Sequence, residues 1–185
     1  LRRVGDVVGT AVSLHNMGAF LQSQRELPEA KRYLEEALEI RRGVKEPYGT
    51  AITLAVLGEI DLELDAIESA RKRLREDVTV GAGATNVRFL ADLLRILARL
   101  ALAQATPALA VELLSCAFRL GEEGFPSRME QLRRATADTL ESSRSALSDQ
   151  EAAAAWDLGQ AVTDPLGRLA AAMDQLDSEE LAPSA

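Results

Sequence analysis

Residues 13–42, SLHNMGAFLQSQRELPEAKRYLEEALEIRR, contain two apolar patterns with helical spacing. A leucine, a methionine three residues later and then Gly18 place an apolar ridge beside a gap on one helical face. Twelve residues after Gly18, an alanine, a leucine and a second alanine give another helix a face that can lie in that gap. Pro28 suits the first turn of this second helix, because the N–H that it lacks would be unpaired there. The stretch therefore predicts two antiparallel helices joined by a short turn.

The same pattern returns every forty residues. Its positions are all apolar or glycine except Asp77, and the small residues stay small elsewhere. They are Leu14, Met17, Gly18, Ala30, Leu34 and Ala37, then Leu54, Leu57, Gly58, Ala70, Leu74 and Asp77, then Leu94, Leu97, Ala98, Ala110, Leu114 and Ala117. Each hairpin exposes an apolar face that the next hairpin can cover, so the pattern predicts a stack.

The spacing also predicts where the helices lie. First helices of the three hairpins are expected at residues 8–23, 49–64 and 85–104, and second helices at 28–42, 66–76 and 107–120. The glycine-containing segments 43–49 and 77–86 are expected to be loops. DVTV in the second of these alternates as a strand does, but one four-residue strand without a partner favours a loop.

Leu-x-x-Leu-Gly, followed after twelve residues by Ala-x-x-x-Leu-x-x-Ala, resembles the tetratricopeptide repeat. The resemblance implies an all-α fold, a right-handed superhelical solenoid whose first helices line a concave groove for a peptide or protein. Leu14 and Leu21 stand where the family has Trp and Tyr, the closing Pro is missing after Arg42, and the usual period is about 34 residues. HEAT and armadillo repeats have a period nearer forty but lack the fixed twelve-residue interval.

The repeat pattern ends after residue 120, so residues 1–120 are expected to form the three repeats (about 8–42, 49–76 and 85–120). Residues 121–177 are expected to be capping helices and 178–185 a frayed tail. SDQE at 148–151 is a capping box that opens the eighth helix. The further expectations are inward Met129, Leu132, Ala135 and Leu140 on the seventh helix, Trp156 as a core plug, and Thr163 as N-cap with Pro165 in the first turn of the ninth helix.

The tail carries a second resemblance. An Arg-rich helix, then Ala-Ala-x-x-Trp-x-x-Gly ending at Gly159, then a short closing helix is similar to the C-terminal end of large bacterial ATP-dependent transcriptional regulators. Many of these have LuxR-type DNA-binding domains and use tetratricopeptide arrays as sensors or scaffolds. The resemblance implies a regulatory role by context and transfers no functional residue. Because the chain begins at Leu1, we expect it to be a segment of a longer protein.

Composition excludes several classes of function. Lys and Arg total 21 against 29 acidic residues, a net charge of −8 that argues against direct binding to nucleic acid or to an anionic membrane. The single cysteine, Cys116, excludes an internal disulfide and a cysteine-cluster zinc site, and its apolar neighbours predict burial. No apolar run reaches the ~20 residues that span a bilayer, and no signal-peptide pattern appears, so a cytoplasmic location is expected.

The catalytic inventory is nearly empty. GAGATN lacks the Lys-Ser/Thr of a phosphate-binding loop, and His15 is the only histidine, so we expect no catalytic, cofactor or metal site and no enzyme activity. If there is a site, the family resemblance points to the groove, acidic in the middle repeat and basic in the third. Its expected polar residues are His15, Gln22, Glu59, Glu63, Asp92, Arg95 and Arg99. Such a surface suits a peptide with both charges.

Other interpretations stay open at this point. A helical module that senses a small metabolite would place its ligand between the third repeat and the cap. The first repeat has no visible polar cap, so the face of residues 1–12 would be buried either against a preceding repeat or against a second copy in a homodimer. The basic run ARKRLRE, residues 70–76, indicates either a solvated helix face or a contact with an acidic partner.

Overall fold

The computed structural model describes residues 2–81 and 86–180, with side chains described for 7–81 and 86–178. Within these ranges the chain forms nine α-helices and no strand. The predicted all-α fold class, built from tandem helical hairpins like those of tetratricopeptide repeats, is therefore confirmed.

The chain divides into two compact units, and the first spans Leu1–Gly83. Its helices are α1 (Arg2–Ser23), α2 (Leu27–Gly43), α3 (Pro47–Glu63) and α4 (Ile67–Val80). The pairs α1–α2 and α3–α4 form the two hairpins, and α2 packs against α3 to join them. Their shared core contains Ala30, Leu34, Leu38, Leu54, Leu57 and Ile60.

The second unit spans Ala84–Ala185. It contains α5 (Val87–Ala103), α6 (Pro107–Gly124), a 3₁₀ turn (Pro126–Arg128), α7 (Met129–Ser145), α8 (Asp149–Ala161) and α9 (Pro165–Glu180). The third predicted hairpin, α5–α6, lies here together with the predicted capping helices, because α6 packs against α7 and α8 while α9 packs against α5. The domain boundaries drawn from the repeat stay a prediction.

One turn geometry joins the two helices of every hairpin. Arg25, Asp65 and Ala105 adopt positive φ angles of 65°, 57° and 58°. The residue after each of them donates its backbone N–H to a carbonyl five residues back, at 3.0, 2.8 and 2.9 Å, which satisfies an orphan carbonyl of the preceding helix. The second hairpin, which lacks a proline signal, makes the same turn as the other two. The end of the first helix, and not the proline, therefore determines the turn.

The glycines of the repeat serve close helix packing, as the spacing predicts. A Cβ at Gly18 would lie 2.5 Å from Cγ of Leu34, and a Cβ at Gly58 would lie 2.9 Å from Cγ of Leu74. The repeat positions are buried with two exceptions. Leu14 is half-buried, and Met17 is 46% exposed. The inward placement expected for Met17 is wrong, because no described helix of this unit packs on that side of α1.

Two of the expected loops are shorter than predicted. Helix α4 continues through Val80, so residues 77–80 are helical and the DVTV segment is not a loop. Asp77 lies on the buried side of the helix, as the repeat spacing requires. The Thr79 hydroxyl donates to the carbonyl of Arg75 in the same helix at 2.8 Å. Helix α3 already begins at Pro47, because Glu46 caps it by accepting the N–H of Gly49 at 3.1 Å.

The tail follows its predicted order of helices with local corrections. Ala135 is exposed and Thr136 is buried in its place, since the Thr136 hydroxyl donates to the carbonyl of Leu132 at 2.9 Å and needs no other partner. Asp164, and not Thr163, caps α9, because the Asp164 carboxylate accepts the N–H of Gly167 at 3.0 Å.

Other features of the tail agree with the sequence pattern. The capping box at Ser148 and Glu151 is confirmed, as is Pro165 at the start of α9. Trp156 is half-buried and not a fully buried plug, since one side of its ring meets Phe118 with the ring centres 5.6 Å apart. Helix α9 continues to Glu180, and the rest of the predicted frayed tail, 181–185, lies outside the described residues.

Candidate functional site

Polar side chains of α1 and α3 meet along one seam of the first unit. Nδ1 of His15 lies 3.2 Å from the Thr53 hydroxyl, and the Gln22 amide donates to the Glu63 carboxylate at 3.2 Å. Arg25, at the hairpin turn, forms an ion pair with Glu63. The structure thus brings three predicted groove residues together, and all three are half-buried. Two bonds cross the seam, from His15 to Thr53 and from Gln22 to Glu63, and they hold these side chains in fixed positions.

His15 is neutral at physiological pH. Burial and, second, the positive charge of Arg41 lower its pKa to about 4. The Thr53 hydroxyl donates its only proton to the carbonyl of Gly49 at 2.8 Å, so the network assigns His15 Nδ1–H as a donor to Thr53. A proton that is already committed to this bond leaves Nδ1 unable to act as a base.

Arg41 is the residue that connects α2 to this seam. Its guanidinium is buried, donates to the Thr53 hydroxyl at 3.0 Å and donates to the carbonyl of Gly49. Glu46 supplies the negative charge nearby, at 3.5 Å. The seam is therefore a three-helix polar network around one buried cation.

Sequence reasoning missed a second buried charge, Asp61 on α3. Its carboxylate is fully buried and accepts from Lys31 of α2 at 2.6 Å and from Arg73 of α4 at 2.8 Å. Arg73 also reaches exposed Glu35 at 2.7 Å. Asp61 and Arg73 are twelve residues apart, the same interval as Gly58 and Ala70, so the hairpin spacing could have predicted that they face each other. This cluster crosslinks three helices.

The remaining predicted groove residues lie on single helices. Glu59 is half-buried on α3. Asp92, Arg95 and Arg99 are half-buried on α5, where spacings of three and four residues place them on one face. Arg88 lies 3.9 Å from Asp92 on the same helix. The candidate residues therefore form two groups, one on α1 and α3 in the first unit and one on α5 in the second. That both groups line a single groove stays a prediction.

The tail motif has a packing explanation in the second unit. Gly159 lets α8 lie directly on α6, since a Cβ there would lie 2.1 Å from the carbonyl oxygen of Glu112. The Ser115 hydroxyl donates to the carbonyl of Trp156 at 2.6 Å, and the Gln160 amide donates to the Ser115 carbonyl at 2.9 Å. Cys116 is buried beside them, as predicted, and burial raises its pKa.

Comparison with protein-family models gives one match, over part of the chain. Residues 9–76, which cover nearly all of the two hairpins of the first unit, match the tetratricopeptide repeat model. No curated protein and no solved structure matches the chain. Among the described residues, no helix is long and apolar enough to cross a membrane, and no group of three or more His, Cys, Asp or Glu side chains could hold a metal ion.

Asp77 makes stability depend on pH. It is fully buried, neither carboxylate oxygen has a hydrogen bond, and burial followed by the charge of Glu76 raises its pKa to about 8. The unfolded chain loses this proton near pH ~4 and the folded chain near pH ~8, so the free energy of unfolding falls as pH rises between them.

We therefore expect Asp77→Ala to raise the free energy of unfolding at about pH 9 by roughly 2 kcal/mol, and by much less at about pH 5. Alanine fits, because Ala37 and Ala117 are fully buried at the equivalent positions. Urea unfolding followed by circular dichroism at both pH values measures the effect. Glu36→Ala removes an exposed carboxylate of α2 and is the control. An Asp77→Ala gain that does not depend on pH would contradict this prediction.

Proposed function

We propose that this chain is a protein-interaction module that binds a peptide or protein partner on the face of its first helices. The observation that carries the proposal is the tetratricopeptide match over residues 9–76, on hairpins that have the expected packing. Tetratricopeptide repeats generally mediate protein–protein interaction. The proposal includes that the chain is not an enzyme, which is supported by the tetratricopeptide match, because repeats of this kind typically serve as scaffolds.

The chemistry of this face favours a partner with mixed charge. Glu59 and Glu63 make the α3 part acidic, and Arg95 and Arg99 make the α5 part basic. The seam side chains are half-buried and already ordered by their mutual bonds, so a partner would lose little of its binding energy in fixing them. A partner segment that binds α3 would therefore be basic, and one that binds α5 would be acidic.

Affinity capture followed by calorimetry with the purified partner tests the proposal. Charge reversal by Arg95→Glu with Arg99→Glu is expected to weaken binding about tenfold or more, since like charges would then face each other. The matched control is Arg133→Glu with Arg134→Glu, which makes the same charge change on exposed positions of α7. Equal binding by the two double variants would overturn the assignment of the partner to the first-helix face.

A more specific proposal concerns the kind of protein to which this module belongs. We propose that it is the sensor or regulatory part of a cytoplasmic bacterial transcriptional regulator, supported by the resemblance of the tail around Trp156 and Gly159. Antibody capture of the protein from crosslinked cells should then enrich particular promoter fragments. Recovery of DNA no different from a mock capture would contradict this context and would leave the interaction module unaffected.

A further inference from the structure

Helix α1 carries, on an exposed face, a glycine and a hydroxyl residue four positions apart. The same kind of pair on α3 contacts α2. Gly9 and Ser13 precede Gly49 and Thr53 by forty residues. The Ser13 hydroxyl donates to the carbonyl of Gly9 at 2.9 Å, and the Thr53 hydroxyl donates to the carbonyl of Gly49 at 2.8 Å. Gly9 and Ser13 are exposed, whereas Gly49 and Thr53 are buried.

In α3 this pair is the receptor for an arginine. Arg41 of α2 donates to both the Gly49 carbonyl and the Thr53 hydroxyl. The glycine makes room for the guanidinium, because a Cβ at Gly49 would lie 2.5 Å from an Arg41 nitrogen. A Cβ at Gly9 would meet nothing within 4 Å, so the described packing gives no reason for a residue that costs a helix interior about 1 kcal/mol.

The apolar part of the α3 face is repeated as well. Leu57 and Ile60 are fully buried in one cluster with Leu34 and Leu38 of α2. The residues forty positions earlier are Met17 and Phe20, which are 46% and 59% exposed.

The third repeat shows that the polar pair and the arginine go together. Forty residues after Gly49 and Thr53 stand Phe89, which has a bulky side chain where Gly49 has none, and Leu93, which has no hydroxyl to accept a hydrogen bond. Forty residues after Arg41 stands Gly81. The glycine–hydroxyl pair is therefore a binding site for one arginine side chain and is not a general feature of first helices in this chain.

We infer that the α1 face formed by Gly9, Ser13, Met17 and Phe20 docks an amphipathic helix of a partner protein that carries Leu-x-x-Arg, the pattern of Leu38 and Arg41. The arginine binds the Gly9 carbonyl and the Ser13 hydroxyl, and the leucine packs on Met17 and Phe20. This face lies opposite His15 and Gln22 on α1, so the inference goes beyond the proposed function.

The probe is a fluorescently labelled peptide with the sequence of residues 27–43, acetylated and amidated, titrated with the whole chain and followed by anisotropy. We expect saturable binding that Arg41→Met in the peptide weakens about tenfold. Phe20→Asp in the protein should weaken binding by at least about tenfold, because a carboxylate would replace the apolar contact. Ser13→Ala in the protein should weaken binding of the peptide that contains Arg41 and should not change binding of the Arg41→Met peptide.

The control is Leu158→Asp, which changes a leucine that is 60% exposed on α8 and should leave binding intact. All three protein variants should keep the thermal midpoint of the parent, because positions 13, 20 and 158 are exposed. Absence of binding, equal binding by Phe20→Asp, or equal affinity of the two peptides would overturn the inference. Sedimentation that shows a dimer dispersed by Phe20→Asp would assign the face to a second copy and would overturn it too.

Discussion

Gly159→Ala is expected to lower the free energy of unfolding by about 3 kcal/mol, because α8 could no longer lie against α6. The new methyl group would lie 2.1 Å from the Glu112 carbonyl oxygen and 2.7 Å from Cβ of Ser115. A backbone atom cannot rotate away as a side chain does, so the two helices must separate. Their separation would break the bond from Ser115 to the Trp156 carbonyl. The gain in helix propensity, about 1 kcal/mol, is too small to compensate.

Trp156 reports this loss directly. It is the only tryptophan, it lies on α8, and its ring packs against Phe118 of α6, so its fluorescence follows the separation of the two helices during denaturant unfolding. Gly43→Ala is the control, because a Cβ there meets nothing within 4 Å. A Gly159→Ala protein as stable as the Gly43→Ala protein would contradict the proposed packing.

Asp61→Ala is expected to cost about 3 kcal/mol of unfolding free energy. The substitution leaves half-buried Lys31 without its carboxylate and half-buried Arg73 with only exposed Glu35, and it removes the charged link between α2, α3 and α4. Hydrogen bonds to a charged group contribute more than neutral ones, and this group makes two of them.

Glu35→Ala is the matched control for Asp61→Ala. Glu35 contacts the same Arg73, at 2.7 Å, but it is exposed, so solvent screens the pair and its removal should change stability by less than about 1 kcal/mol. Chemical unfolding of the two variants measures the difference. Equal losses for Asp61→Ala and Glu35→Ala would show that burial of Asp61 adds nothing to the link.

The hairpins could be predicted from the sequence because the residues that pack their two helices together are close in sequence and recur at a fixed interval. A glycine at a helix crossing and a leucine that fills its gap recur at fixed intervals, as Gly18 with Leu34 and Gly58 with Leu74 do. The shared turn around Arg25, Asp65 and Ala105 follows from the same register. The extent of α4 could not be predicted in this way, because Asp77 is a poor residue for a buried helical position.

The candidate site was less accessible to sequence reasoning. Spacing placed His15, Gln22 and Glu63 on the inner face of their helices, but it could not show that His15 bonds to Thr53 or that Gln22 bonds to Glu63. The arginine network depends on two residues of different helices approaching one guanidinium, which no single-helix pattern predicts. Exposure of Met17 could not be predicted either, because the forty-residue pattern assigns it the same inward role as Leu57.

Site-specific photo-crosslinking tests the central claim, that a protein partner binds the face of the first helices. A photoreactive phenylalanine analogue would replace Glu59, on the proposed face of α3, or Glu36, an exposed residue of α2, and each protein would be irradiated with its captured partner. We expect the partner to crosslink to the Glu59 position and not to the Glu36 position. Crosslinking at Glu36 without crosslinking at Glu59 would contradict it.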